Sequence, residues 1–94
     1  MQYHVHPSKQ FKKDLRKLQR SGVNIAKLKK VVHSLEKGEK LDSKYKDHPL
    51  KGGLKGKREC HITSDWLLLY EKDEGKLLLL LLRTGNHRHV LNIE

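Results

Sequence analysis

Two turn-sized separators, Thr63-Ser64-Asp65 and Asp73-Glu74-Gly75, cut the C-terminal half of the chain into three strand-like runs at about Leu54–Ile62, Trp66–Lys72 and Lys76–Leu82. Connections this short force neighbouring strands to be antiparallel, so the half folds as a meander. The N-terminal half has a different period. Phe11, Leu15 and Leu18 recur at spacings of four and three within Lys9–Arg20, after the capping residue Ser8 and before Ser21-Gly22. Ile25, Leu28, Val32 and Leu35 recur at three, four and three behind a capping Asn24, and Lys37-Gly38 closes that second helix. Ahead of both, Gln2–His6 alternates in polarity, with Tyr3 and Val5 on one side, until Pro7 stops it. The expected fold class is α+β: an N-terminal strand, a helical hairpin, then a three- to four-stranded antiparallel meander packed against the two helices. Arg88–Glu94 offers a further short strand, and Glu39–Gly53, which has no period, reads as a loop.

Ninety-four residues suit a single domain over 1–94, with no internal repeat and no linker. The lone Cys60 cannot form an internal disulfide, and the polar start Met1–His6 does not resemble a signal peptide, which fits a reducing cytoplasm. Six consecutive leucines, Leu77–Leu82, are about a third of a membrane span, so no membrane partner is expected. Because Leu67–Leu69 and Leu77–Leu82 are apolar at successive positions, both sheet faces are greasy, yet two helices can cover only one. Either an acidic, partly disordered partner or the chain's own loop and tail must cover the other. With 21 Lys+Arg against 11 Asp+Glu, a formal net charge of +10, the chain attracts polyanions, nucleic acid first among them.

Three polar islands carry the candidate chemistry: Tyr45-Lys46-Asp47-His48-Pro49-Leu50, then His61 with Asp65-Trp66, then Arg83-Thr84-Gly85-Asn86-His87. Metal-free RNA cleavage needs a base for the ribose 2′-hydroxyl, cations for the phosphorane and an acid for the leaving 5′-oxygen. His48 or His61 can be the base, Asp65 a base or an orienting group, and His87 the acid; Lys46 and Arg83 can neutralise phosphate, and Trp66 can stack a base. Antiparallel strands can bring His61, Asp65 and His87 to one end of the sheet, and His48 joins them if its loop folds over that end. Duller roles compete: Asp65 as a turn residue, Trp66 as a core aromatic, Arg83 as a strand-end cation, each histidine as a surface residue. The pairs His4-Val5-His6 and His87-Arg88-His89 offer metal-ligand spacing, but a structural zinc would want more than one cysteine, so no metal is expected.

In these islands, in Gly53-Leu54-Lys55-Gly56-Lys57-Arg58 and in the run from Trp66 to Tyr70, the chain resembles the YafQ branch of the RelE/ParE superfamily of bacterial toxin–antitoxin toxins over nearly its whole length. The resemblance implies a RelE-like fold and a small basic endoribonuclease that cuts messenger RNA in the ribosomal A site without metal or cofactor. It also implies silencing by an acidic cognate antitoxin of the DinJ type. By the same resemblance His48, His61, Asp65 and His87 form the active site, with Trp66 and Arg83 supporting substrate or scaffold. Leu91 stands where the family carries an aromatic residue; leucine fills volume but stacks poorly on a base, which bears on cleavage rate and codon preference. A gyrase-poisoning toxin of the same superfamily would have no use for these histidines. A non-catalytic RNA- or ribosome-binding module, using its basic helices, is the alternative from another class.

Overall fold

In a computed structural model describing residues 2–86 and 90, Ser8 makes the first corner. Its N–H donates to Leu81 O and its hydroxyl to Leu82 O, both at 2.8 Å, while the same hydroxyl oxygen accepts from the Phe11 N–H at 2.9 Å. One residue therefore fastens the end of β1 (His4–Pro7) to the sheet and caps α1 (Lys9–Arg20). After α1 the chain turns at Gly22, and the Asn24 side chain accepts from the Ala26 N–H at 2.9 Å just ahead of α2 (Ala26–Glu36). Leu28, Val31 and Leu35 are the buried residues of α2, so Val31 rather than Val32 is the fully inward valine. Gly38, at φ +78°, ends the helix with a left-handed turn.

Five strands form one sheet in the order β1-β5-β4-β3-β2, where β2 is His48–Pro49, β3 Arg58–Thr63, β4 Trp66–Asp73 and β5 Leu78–Gly85. The meander β3-β4-β5 is antiparallel as expected, and β2 extends it at the β3 edge. β1 pairs parallel with β5, so the sheet is mixed. Pro7 causes no conflict because it ends an edge strand.

Strand boundaries differ from the sequence expectation for local reasons. Leu77 adopts φ +54° and Lys76 N–H donates to Asp73 Oδ1 at 3.0 Å, so the second hairpin turn runs longer and β5 begins at Leu78 rather than Lys76. Because β4 has eight residues to pair, β5 continues to Gly85 and takes Arg83 and Thr84 into the sheet. A 3₁₀ turn at Gly52–Leu54 and Gly56 at φ +94° delay β3 until Arg58 rather than Leu54. Of the tail expected to add a strand at Arg88–Glu94, only Val90 lies within the described residues.

Both faces of the sheet are covered from within the chain. The helix side buries Phe11, Leu28, Val31 and Leu35 against Cys60, Ile62, Leu68, Tyr70, Leu79 and Leu81. On the other side Leu67 and Leu69 are buried in a smaller cluster with Val90, against which Leu50 and Leu82 pack. Loop and tail thus supply the cover there, so the acidic partner invoked for that face is not needed to bury Leu67 and Leu69; Leu78, Leu80 and Leu82 stay half-exposed. Burial, reinforced by the nearby Asp47 and Glu59 charges, pushes the Cys60 thiol up to about 12, so it stays a neutral thiol in the core. No helix among the described residues is long and apolar enough to cross a membrane.

A buried ion pair locks α1 to β5. The Asp14 carboxylate, only 2% exposed, accepts from Arg83 Nε at 2.9 Å, from an Arg83 terminal nitrogen at 3.2 Å and from the Thr84 N–H at 3.1 Å. Removing one partner of such a pair leaves a desolvated charge behind. Arg83→Met is expected to lower unfolding free energy by roughly 3 kcal/mol, measured from urea midpoints; a loss below about 1 kcal/mol would show that the remaining donors, among them the Thr84 amide and Gln10 Nε2, satisfy Asp14.

Candidate active site

The loop between α2 and β3 carries the first polar island, and it is built to hold one imidazole in place. Leu41 is buried at its start, Asp42 accepts from the Lys44 N–H at 3.0 Å, and a 3₁₀ turn spans Ser43–Tyr45. Lys46 then takes a left-handed conformation, φ +50°, which an L-residue adopts only at some cost. That turn brings the Lys46 carbonyl to His48 Nδ1 at 2.6 Å. A carbonyl can only accept, so Nδ1 carries the proton, and in the neutral ring Nε2 is the basic nitrogen.

Asp47 pins the loop to the sheet. Its Oδ1 accepts from the Tyr70 hydroxyl at 2.5 Å and from Arg58 Nε at 3.3 Å, the latter also an ion pair. Burial and this bond to the carboxylate both push the Tyr70 phenol well above its ordinary pKa, so the hydroxyl remains a donor throughout the working range. Burial works against charge on Arg58, but its bonds to Tyr70 and Asp47 and the Asp47 charge outweigh it and hold the guanidinium pKa above its usual value.

Opposite His48 in the β2–β3 register stands Glu59, and two residues along β3, on the same face, stands His61. Glu59 is 3% exposed and lies between the two rings: its Oε1 is 3.7 Å from His48 Nε2 and 3.4 Å from His61 Nε2. The ring centroids are 6.5 Å apart. The structure therefore unites His48 and His61 around a carboxylate that the sequence reading overlooked. Its position two residues before His61 was the available signal, since that spacing places both side chains on one strand face.

Asp65 sits exposed at the tip of the β3–β4 hairpin, where its Oδ1 accepts from the Thr63 hydroxyl at 3.2 Å. Among the described residues no hydrogen bond or ion pair joins it to an imidazole. The Trp66 indole N–H donates to Thr84 Oγ1 at 2.9 Å, and the Thr84 hydroxyl donates to Leu67 O at 2.8 Å, so the ring is held by the sheet and packs against the main core. Arg83 has its guanidinium on Asp14. Lys46 is exposed and lines a cleft beside His61. His87 and Leu91 lie outside the described residues. Among the described residues no three His, Cys, Asp or Glu side chains are grouped to hold a metal ion.

Comparison with known proteins gives a consistent result. The family model for the bacterial toxin of type II toxin–antitoxin system, YafQ, matches residues 3–92. The mRNA interferase toxin YafQ of Escherichia coli K12 is 36% identical over 88 residues, 93% of this chain and 94% of that protein. Among solved structures, a metal-bound toxin from Helicobacter pylori has a TM-score of 0.86 at 45% identity, covering 95% of this chain and 98% of the other. The E. coli DinJ-YafQ toxin–antitoxin complex contributes a chain with a TM-score of 0.86 at 36% identity, covering 95% and 97%.

The Asp47 clasp can be tested directly. Tyr70→Phe removes one hydrogen bond to a charged group, worth about 1.5 kcal/mol. Opening of the loop should become roughly tenfold more frequent, measured as faster tryptic cleavage after Lys44 and Lys46 while the sheet's circular dichroism is unchanged. Equal cleavage rates would mean that the Tyr70 bond does not hold the loop and that the Arg58–Asp47 pair suffices.

Proposed function

The chain belongs to the YafQ family of type II toxin–antitoxin toxins, and on that footing we propose that it is an mRNA interferase, an endoribonuclease that cuts messenger RNA in the ribosomal A site. The observation that carries the chemistry is the pair of imidazoles set about buried Glu59 on the face of a strongly basic protein. One imidazole takes the proton of a ribose 2′-hydroxyl; the 2′-oxygen bonds to phosphorus, the bond to the 5′-oxygen breaks, and a second acid returns a proton to that leaving oxygen. The products are a 2′,3′-cyclic phosphate and a 5′-hydroxyl. His48, with Nδ1 committed to the Lys46 carbonyl and Nε2 on offer, or His61 makes the first of these transfers, and His87 makes the second. Asp65 stands at the hairpin tip to orient an imidazole. Lys46 meets the phosphate, while Trp66, Arg83 and Leu91 shape the surroundings.

Glu59 is a positioning residue, since it contacts the imidazoles. Its negative charge draws both Nε2 edges toward one point and balances positive charge as a proton arrives. No step needs a divalent metal, because proton transfer and cationic side chains cover the three requirements of the reaction. The complex of E. coli YafQ with DinJ supports a DinJ-like, acidic antitoxin as the partner that silences the chain. Its substrate places it in the cytoplasm. The surplus of histidines over what a phosphate-binding surface needs favours the nuclease over a passive ribosome-binding module or a gyrase poison.

Cleavage of A-site mRNA on purified ribosomes tests this. His61→Gln and His87→Gln should each lower kcat by about 10²–10⁴ with folding intact; variants that cut like wild type would leave only a binding module. Glu59→Gln should lower kcat by about tenfold with KM and thermal midpoint little changed, whereas a purely structural Glu59 would shift the midpoint instead. Toxin stripped with EDTA and desalted before meeting ribosomes should cut undiminished.

A further inference from the structure

Beside His61 a cleft of about 380 Å³ opens between the start of α2 and the loop ahead of β2. That volume is within the range of small-ligand clefts, about 300–1,000 Å³. Its walls bring together Lys27 from α2, Lys44 and Lys46 from the loop, and Thr63 and Ser64 from the hairpin tip. Among the described residues no carboxylate lines it, in a protein that also carries 11 Asp+Glu. The backbone around it is well fixed. Lys27 precedes the buried Leu28, Tyr45 packs against the main core, and Lys46 is held in its left-handed turn.

The Tyr45 wall already carries a cation on one face. The Lys44 ammonium lies 5.2 Å from the centroid of the Tyr45 ring, so that face is already covered by a cation, which Tyr45 thereby steadies beside the cleft. What the cleft offers is therefore three ammonium groups and the Ser64 hydroxyl around a hollow continuous with an imidazole of the catalytic set, the Thr63 hydroxyl being bonded to Asp65. We infer that this cleft is a backbone-phosphate subsite for the message, holding a phosphate next to the scissile one so that the strand lies across His61. This assignment rests on the cleavage reaction proposed above and adds Lys27 and Lys44, outside the three polar islands or without a role in them, to the substrate surface. Phosphate contacts carry no base information, so the subsite sets register and affinity without setting codon preference.

The test uses the full chain carrying Lys27→Ala and Lys44→Ala together, with Lys27→Arg and Lys44→Arg as the charge-keeping control and circular dichroism confirming the fold of both. On ribosomes programmed with cleavable mRNA, the alanine pair should raise KM on the order of tenfold with kcat unchanged, by the same factor for every codon tested. Binding to ribosomes bearing 2′-O-methylated A-site mRNA should lose salt dependence, its log–log slope falling by about 0.7, the value for one phosphate contact removed from a single strand. The arginine pair should restore both values. If binding to ribosomes without mRNA falls equally, the lysines grip ribosomal RNA and the inference is overturned. It is overturned as well if affinity for the acidic antitoxin falls while KM and salt slope stay at wild-type values. Failure of the wild-type chain to cut any message would instead defeat the nuclease assignment itself.

Discussion

Everything at the site hangs from the hydrogen bond between the Tyr70 hydroxyl and Asp47. Tyr70 is fully buried on the central strand, so it is among the least movable groups in the molecule, and through Asp47 it lends that rigidity to a loop with little regular structure of its own, a 3₁₀ turn and the two-residue β2. The loop then straddles the β3 edge. Leu41 and Tyr45 sit in the core on the helix side, His48 pairs opposite Glu59 and Leu50 packs on the far side. A surface loop held on both sides of an edge strand can place an imidazole as accurately as a strand does. It also covers an edge that would otherwise be open to pairing with other chains.

The electrostatics divide into two scales. Over the whole surface the positive excess draws in a phosphate backbone without selecting where it is cut. At the site one buried carboxylate acts over a few ångströms, and its field reaches two imidazoles at once. Asp14 shows the same device in a structural setting. A carboxylate buried on α1 is satisfied by Arg83 and the Thr84 amide, and this joins a helix to the strand that leads toward His87. Burying an acid in so basic a chain is stable only where donors converge on it, as Arg83 and the Thr84 amide do on Asp14.

Much of this was legible because it depends on periodicity and short connections. The helices, the antiparallel meander and the Ser8 cap follow from residues near one another in sequence. The pairing of His48 with His61 was legible as residue types, and the resemblance marked both positions, but their shared carboxylate was not. Glu59 sits within Lys57-Arg58-Glu59-Cys60, where it reads as one more charge on a basic strand; only the β2–β3 register sets it opposite His48 and beside His61. Likewise nothing local to Arg83 names Asp14, 69 positions earlier, as its partner. The left-handed backbone at Lys46 and Leu77 was also hidden, because neither is a glycine and neither residue type prefers that conformation.

The small cluster on the far face of the sheet links regions that the chain order keeps apart. Leu50 lies two residues after His48, and Val90 lies three after His87, and both rest on Leu67 and Leu69. Lifting the end of the chain would expose two leucines to water, each worth about 1.5–3 kcal/mol when fully exposed, and would remove the packing that backs the His48 segment. Val90 is therefore a keystone: a molecule that prised it away would loosen the His48 segment from behind, without ever entering the cleft beside His61.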